Sequence, residues 1–174
     1  NGHAYVSHEH VLFDASSIPD YGCFGEFAGS MQDFTANADV TLGSAVTRNV
    51  SGAIAGDSNP AVRFNGSGNN SRAYSTRSEQ GQHKLSVEAW IKTTSTSGGK
   101  IVGMGSTQGT GNSSNYDRHL YMSSNGRLNF GVYPNAYRVV TSPASYNDGQ
   151  WHHVVGTVGS GGLELWVDGQ RVAH

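Results

Sequence analysis

Short runs in which apolar and polar residues alternate, each closed by a glycine-bearing turn, constrain the fold of this chain more than any other feature. In the last third, Trp151-His152-His153-Val154-Val155-Gly156-Thr157-Val158 passes through Gly159-Ser160-Gly161-Gly162 into Leu163-Glu164-Leu165-Trp166-Val167. Leu163, Leu165 and Val167 alternate with Glu164, Trp166 and Asp168, the period of a strand with one buried face. Asp168-Gly169 then provides a hairpin turn, and Ser124-Asn125-Gly126 provides another between the strand patterns His119–Ser123 and Arg127–Tyr133. Further strand patterns cover Ala61–Phe64, Leu85–Thr93, Lys100–Gly105 and Tyr137–Ser142. Strands at about ten-residue spacing with such turns predict an all-β, two-sheet antiparallel sandwich. No long stretch carries the 3.6-residue apolar period of a helix.

At 174 residues the chain has the length of one domain with a real core. Its 24 glycines and 14% charged residues suit short strands and many turns rather than helices. A formal net charge of −2, with eleven scattered Lys and Arg residues, leaves no basic footprint for nucleic acid or an anionic membrane. No apolar run has membrane-spanning length, so membrane insertion is not expected either. Cys23 is the single cysteine, which excludes an internal disulfide framework and a thiolate metal site. With Tyr21, Phe24 and Phe27 around it, Cys23 reads as a small buried apolar group. Acceptor patterns for N-glycosylation occur at Asn49, Asn65, Asn69 and Asn112, where chance matches are common in so Asn- and Ser-rich a chain. The Ser, Thr, Asn and Gly enrichment and the few lysines point to an extracellular or cell-surface setting.

Four motifs recur in order: Ala61-Val62-Arg63-Phe64-Asn65-Gly66, Leu85-Ser86-Val87-Glu88-Ala89-Trp90-Ile91-Lys92, Asp148-Gly149-Gln150-Trp151-His152-His153-Val154 and Leu163-Glu164-Leu165-Trp166-Val167-Asp168-Gly169. Together they resemble the laminin G-like, concanavalin A-like lectin/glucanase jelly-roll family over roughly Asp33 to Val172. The resemblance implies a jelly-roll domain over residues 37–174, preceded by an irregular N-terminal segment, residues 1–36. It also implies a module better known for binding than for catalysis. Related domains usually run on to a further closing strand after the last hairpin. The N-terminal stretch Phe27-Ala28-Gly29-Ser30-Met31-Gln32-Asp33-Phe34 is a weak echo of that strand and a candidate for completing the sheet. A second copy of the chain is the rival, which would allow self-association through an open strand edge.

Candidate chemistry divides into four groups. Tyr116, Asp117 and Arg118, beside the polar loop 106–115, and Tyr133, Asn135 and Tyr137, around Pro134, combine aromatic platforms with hydrogen-bonding groups. They are the expected glycan-binding residues. Trp90, Trp151 and Trp166 could also stack on a sugar ring, but within strands they read as packing units. Asp57, Ser58, Asn59, Asn65 and Asn69 bring hard oxygen donors to one end of the sandwich and are the expected calcium ligands, Asx-type turns being the alternative. Asp168, at a hairpin tip, reads as a turn residue, and His152 and His153, on opposite faces of one strand, cannot share a metal ion.

Two catalytic readings are weaker. Glu88 and Glu164 are single acids on separate strands, without the close spacing that concanavalin-like glucanases use. Val6-Ser7-His8-Glu9-His10-Val11 resembles the first-strand metal motif of phosphotriesterase-like amidohydrolases, in which His8 and His10 would point the same way. That chemistry needs a complete (β/α)₈ barrel, and no helical pattern follows residue 14. The expectation is therefore a non-catalytic extracellular recognition or adhesion module that binds a glycan or glycoprotein, possible calcium included. A structural or assembly module completed by strand exchange is the alternative, and a metal-dependent hydrolase built on His8-Glu9-His10 comes third.

Overall fold

The computed structural model describes residues 4–7, 24–27, 30–33, 40–56, 60–66, 70–75, 83–106 and 113–174. Among them every regular element is a strand: β1 (Ala4–Ser7), β2 (Phe24–Phe27), β3 (Ser30–Asp33), β4 (Val40–Leu42), β5 (Val46–Val50), β6 (Ala61–Phe64), β7 (Ala73–Ser75), β8 (Leu85–Thr93), β9 (Gly99–Gly105), β10 (Tyr116–Met122), β11 (Arg127–Val132), β12 (Arg138–Ser145), β13 (Trp151–Gly159), β14 (Gly162–Val167) and β15 (Gln170–Ala173). They form a seven-stranded sheet in the order β15-β14-β13-β8-β1-β6-β5, a four-stranded sheet β12-β11-β10-β9, and a small sheet β2-β3-β4-β7. All pairings are antiparallel. The fold is the all-β jelly-roll sandwich that the alternating patterns predict.

The alternation decides which face is buried. Along β8 every second residue, from Leu85 through Val87, Ala89 and Ile91 to Thr93, is buried, and the residues between them are only partly covered. Val154 of β13 and Leu165 and Val167 of β14 join that face. Leu120 and Met122 of β10 and Leu128, Phe130 and Val132 of β11 oppose them from the four-stranded sheet. Phe130, Leu120, Leu128, Leu165 and Val154 have no exposed surface, and full burial of each such side chain contributes about 1.5–3 kcal/mol. A second cluster of Leu42, Val46 and Val62 fills the space where β4, β5 and β6 meet.

The N-terminal stretch enters the sheets at another place than its closing-strand echo suggests. Ala4–Ser7 lies inside the seven-stranded sheet, pairing with β6 on one side and β8 on the other. Phe24–Phe27 and Ser30–Asp33 pair with each other, and Met31 pairs with Val40 of β4. Neither strand borders β15, which forms one edge of the large sheet. Cys23 and the His8-Glu9-His10 motif lie outside the described residues.

Candidate functional site

The four-stranded sheet has a buried face and an open one, and register sorts residues between them. Leu120 pairs with Val102 and Phe130 toward the core. Tyr121 pairs with Lys100 on one side and Asn129 on the other, so this row lies on the opposite, outer face. His119 pairs with Gly131 in the next outer row. A cavity of about 800 Å³ opens there, lined by Lys100, His119, Tyr121, Gly131 and the tyrosines at 116, 133 and 137. Its volume suits a small ligand.

The three tyrosines are the most exposed large hydrophobic side chains of the described residues, at 59% for Tyr116, 58% for Tyr133 and 53% for Tyr137. Two are supported from below. The Tyr137 ring crosses Gly131, where a Cβ would lie only 3.2 Å from its Cε2, and its hydroxyl meets that of Tyr121 at 2.7 Å. Tyr116 stacks on His119, with ring centroids 5.1 Å apart and planes 22° from parallel. His119 donates its Nε2–H to the Met104 carbonyl at 2.7 Å. Burial, aided by the Lys100 charge, lowers the His119 pKa, and the bond to Met104 only partly offsets this. The ring is therefore neutral at pH 7. Burial, and then the bond to Tyr137, raises the Tyr121 pKa, so the Tyr121 hydroxyl stays protonated and can donate or accept.

Asp117 and Arg118 occupy a bulge within β10, not a loop, with a register shift between Asp117 and Leu120 and Arg118 at φ 47°. The Arg118 guanidinium pairs with Asp117 and is 7% exposed. Asp117 Oδ1 also accepts the backbone N–H of Arg118 at 2.8 Å and of Tyr133 at 2.7 Å. The carboxylate thus ties the β11–β12 connection, which carries Tyr133 and Tyr137, to β10. Its partners make it a positioning group for the tyrosines. Asn135 is exposed on that connection but does not line the cavity.

Of the expected glycan-binding residues, the structure gathers Tyr116, Asp117, Tyr133 and Tyr137 around one cavity, with Arg118 behind it. Lys100, His119 and Tyr121 line the same cavity and were not singled out from the sequence. His119 and Tyr121 stand at i, i+2 on one strand, a signal that was available. Lys100 arrives only through its pairing with Tyr121.

Among the expected calcium ligands, Asp57, Ser58, Asn59 and Asn69 lie outside the described residues, and Asn65 follows β6 on the exposed surface. Among the described residues no group of three His, Cys, Asp or Glu side chains converges as a metal site. Among the described residues Asp117 is the sole carboxylate lining the cavity, whereas the usual glycoside hydrolysis places two across the scissile bond. Glu88 and Glu164 belong to the other sheet. Glu88 accepts from His153 Nε2 at 3.1 Å, and Glu164 accepts from Trp166 Nε1 at 3.2 Å and Arg171 Nη1 at 2.8 Å. Trp90 packs against His153 with centroids 5.0 Å apart.

The late motifs also have a structural explanation. His152 sits between two carboxylates, donating Nδ1–H to Asp168 Oδ2 at 2.8 Å and Nε2–H to Asp148 Oδ1 at 3.1 Å. Asp168 accepts the His153 N–H at 2.9 Å through its other oxygen, and its own N–H donates to the His153 carbonyl at 2.8 Å. Asp168 is thus a turn residue at φ 49° that also ties the last hairpin to β13.

No curated protein and no solved structure matches the chain. A laminin G family model, described as the concanavalin A-like lectin/glucanases superfamily, matches residues 65–174, which hold the cavity and most of both large sheets. On that match and this architecture, the chain belongs to the laminin G-like group of the concanavalin A-like lectin/glucanase superfamily.

Proposed function

We propose that the chain is a non-catalytic glycan-recognition module of an extracellular or cell-surface protein, binding sugar in the tyrosine-walled cavity. The observation that carries this reading is the grouping of three tyrosines, each more than half exposed, around one concavity. Exposed aromatic rings held by neighbours lose little entropy when a ligand covers them. Their faces suit the C–H faces of a pyranose, and the Tyr121 and Tyr137 hydroxyls offer hydrogen bonds to sugar hydroxyls. Membership of the superfamily supports a carbohydrate-binding or adhesion-type module at a coarser level.

A glycan array probed with the intact chain, with and without calcium, tests the reading. Binding to a defined set of glycans is expected, and Tyr133→Ala and Tyr137→Ala should each weaken it about tenfold, the equivalent of one lost aromatic contact. Tyr133 is the cleaner variant, because Tyr137 also covers Gly131. Saturable binding that both variants retain in full would place the sugar elsewhere, and an empty array would overturn the reading. Calcium dependence would bring Asp57, Asn59, Asn65 and Asn69 back as a ligand set.

A further inference from the structure

We propose that Lys100 makes this cavity selective for glycans that carry a carboxylate, with its ammonium group as the anchor for a uronic or sialic acid. The proposal rests on the glycan reading above and names the class of sugar. Lys100 is exposed on β9, pairs in register with Tyr121 and lines the cavity beside it. No ion pair among the described residues involves Lys100. The carboxylate and the imidazole of the cavity already have partners. Asp117 is paired with Arg118 and holds two backbone N–H groups, and His119 donates to the Met104 carbonyl.

The surroundings make a counter-charge favourable at this point. Although the residue as a whole is exposed, desolvation by the atoms around its charged end, and then the charge of Arg72, lowers the Lys100 pKa, so the ammonium is less well hydrated than a free surface lysine. A neutral sugar docking on the tyrosines would remove more water from that ammonium and return only neutral hydroxyl acceptors. A carboxylate supplies a charge-assisted hydrogen bond, stronger than a neutral one, while the Tyr121 and Tyr137 hydroxyls, 2.7 Å apart, are at hand for ring hydroxyls. Lys100 presents a point charge, which suits a single carboxylate without imposing the bidentate geometry of arginine.

The test compares acidic oligosaccharides with their neutral counterparts: oligogalacturonate and a hyaluronan tetrasaccharide, each beside its carboxyl-reduced form, titrated calorimetrically into the intact chain. The acidic member of a pair is expected to bind about tenfold tighter, with the difference shrinking as salt is raised. In Lys100→Gln the ratio should fall to about one, and Lys100→Arg should restore most of it. Tyr133→Ala should weaken both members of a pair and leave their ratio unchanged. Equal binding of acidic and neutral members by the wild type would overturn the proposal and leave the glycan reading standing. An acid preference that Lys100→Gln retains would assign the selectivity to another group and overturn it as well. Binding of no acidic member, while neutral glycans bind on the array, would also overturn it. Binding of no sugar at all would remove both readings together.

Discussion

When protonated, the His152 ring donates from both nitrogens, because both of its partners, Asp148 and Asp168, are carboxylates that only accept. Burial works against that charge, but the hydrogen bonds and attraction of the two acids outweigh it and hold the His152 pKa above the ordinary imidazole range. Asp148 is pulled the other way, first by the Gln150 N–H and then, against burial, by His152. A histidine whose pKa is raised on folding contributes stability that is complete below its unfolded pKa of about 6.5. That stability is lost as pH climbs through the raised folded value. His119 has the opposite sign, since its lowered pKa favours the folded state at higher pH. Whole-protein curves therefore mix the two, and a difference curve separates them. His152→Gln should be less stable than wild type in chemical denaturation near pH 6, and the gap should narrow toward pH 9. A gap that is constant or widens with pH would refute the clamp.

Legibility at this scale followed what a single residue reveals about itself. Tyr116, Tyr133 and Tyr137 stood out as aromatics in polar, turn-rich text, and such positions present rings to solvent. Arg118 looked like a neighbour of equal promise, yet the bulge turns it inward onto Asp117. Its fate depends on a register shift that no local pattern announces. Lys100 was hidden for a related reason, because its place in the cavity is set by a partner strand about twenty residues away along the chain.

At the scale of elements, the two large sheets meet closely where β13 passes under β11. Gly156 of β13 lies against Phe130, and a Cβ there would stand 2.5 Å from the ring carbons Cγ and Cδ2. Phe130 has no exposed surface and cannot swing outward without opening the core. Gly156→Ala should therefore destabilise the fold by about 1–3 kcal/mol, the cost of overpacking a filled core, visible as a lower denaturation midpoint with an unchanged m-value. An unperturbed midpoint would mean that the sheets are further apart than described. A different device serves β12, whose register slips beside Arg127 and Asn129. There the fully buried Ser142 accepts the Leu128 N–H at 2.9 Å and donates to the Ala144 carbonyl at 2.7 Å, satisfying groups that the slipped ladder leaves open. Strands such as β8 and β14 were legible from alternation alone. The close approach at Gly156 leaves no such signal, because nothing in β13 itself shows which ring will face it.

Across the whole molecule, the sandwich presents two aromatic surfaces of different character. Trp90, Trp151 and Trp166 belong to the seven-stranded sheet, where they are half-buried, with Trp90 against His153 and Trp166 bonded to Glu164. The tyrosines belong to the four-stranded sheet, where they wall a cavity. The order of strands in the large sheet was the least legible part of the fold, since Ala4–Ser7 inserts between β6 and β8. So short a strand has no pattern strong enough to declare its partners. On the proposed function the tyrosine surface, not the tryptophan surface, holds the ligand. Titrating the isotope-labelled chain with the strongest array ligand and following its backbone amide resonances tests this most directly. Shifts confined to Lys100, the Tyr116–Tyr121 stretch and the Gly131–Tyr137 connection are predicted. Shifts centred on Trp90, Val155 and Trp166 would contradict the claim and move the site to the other sheet.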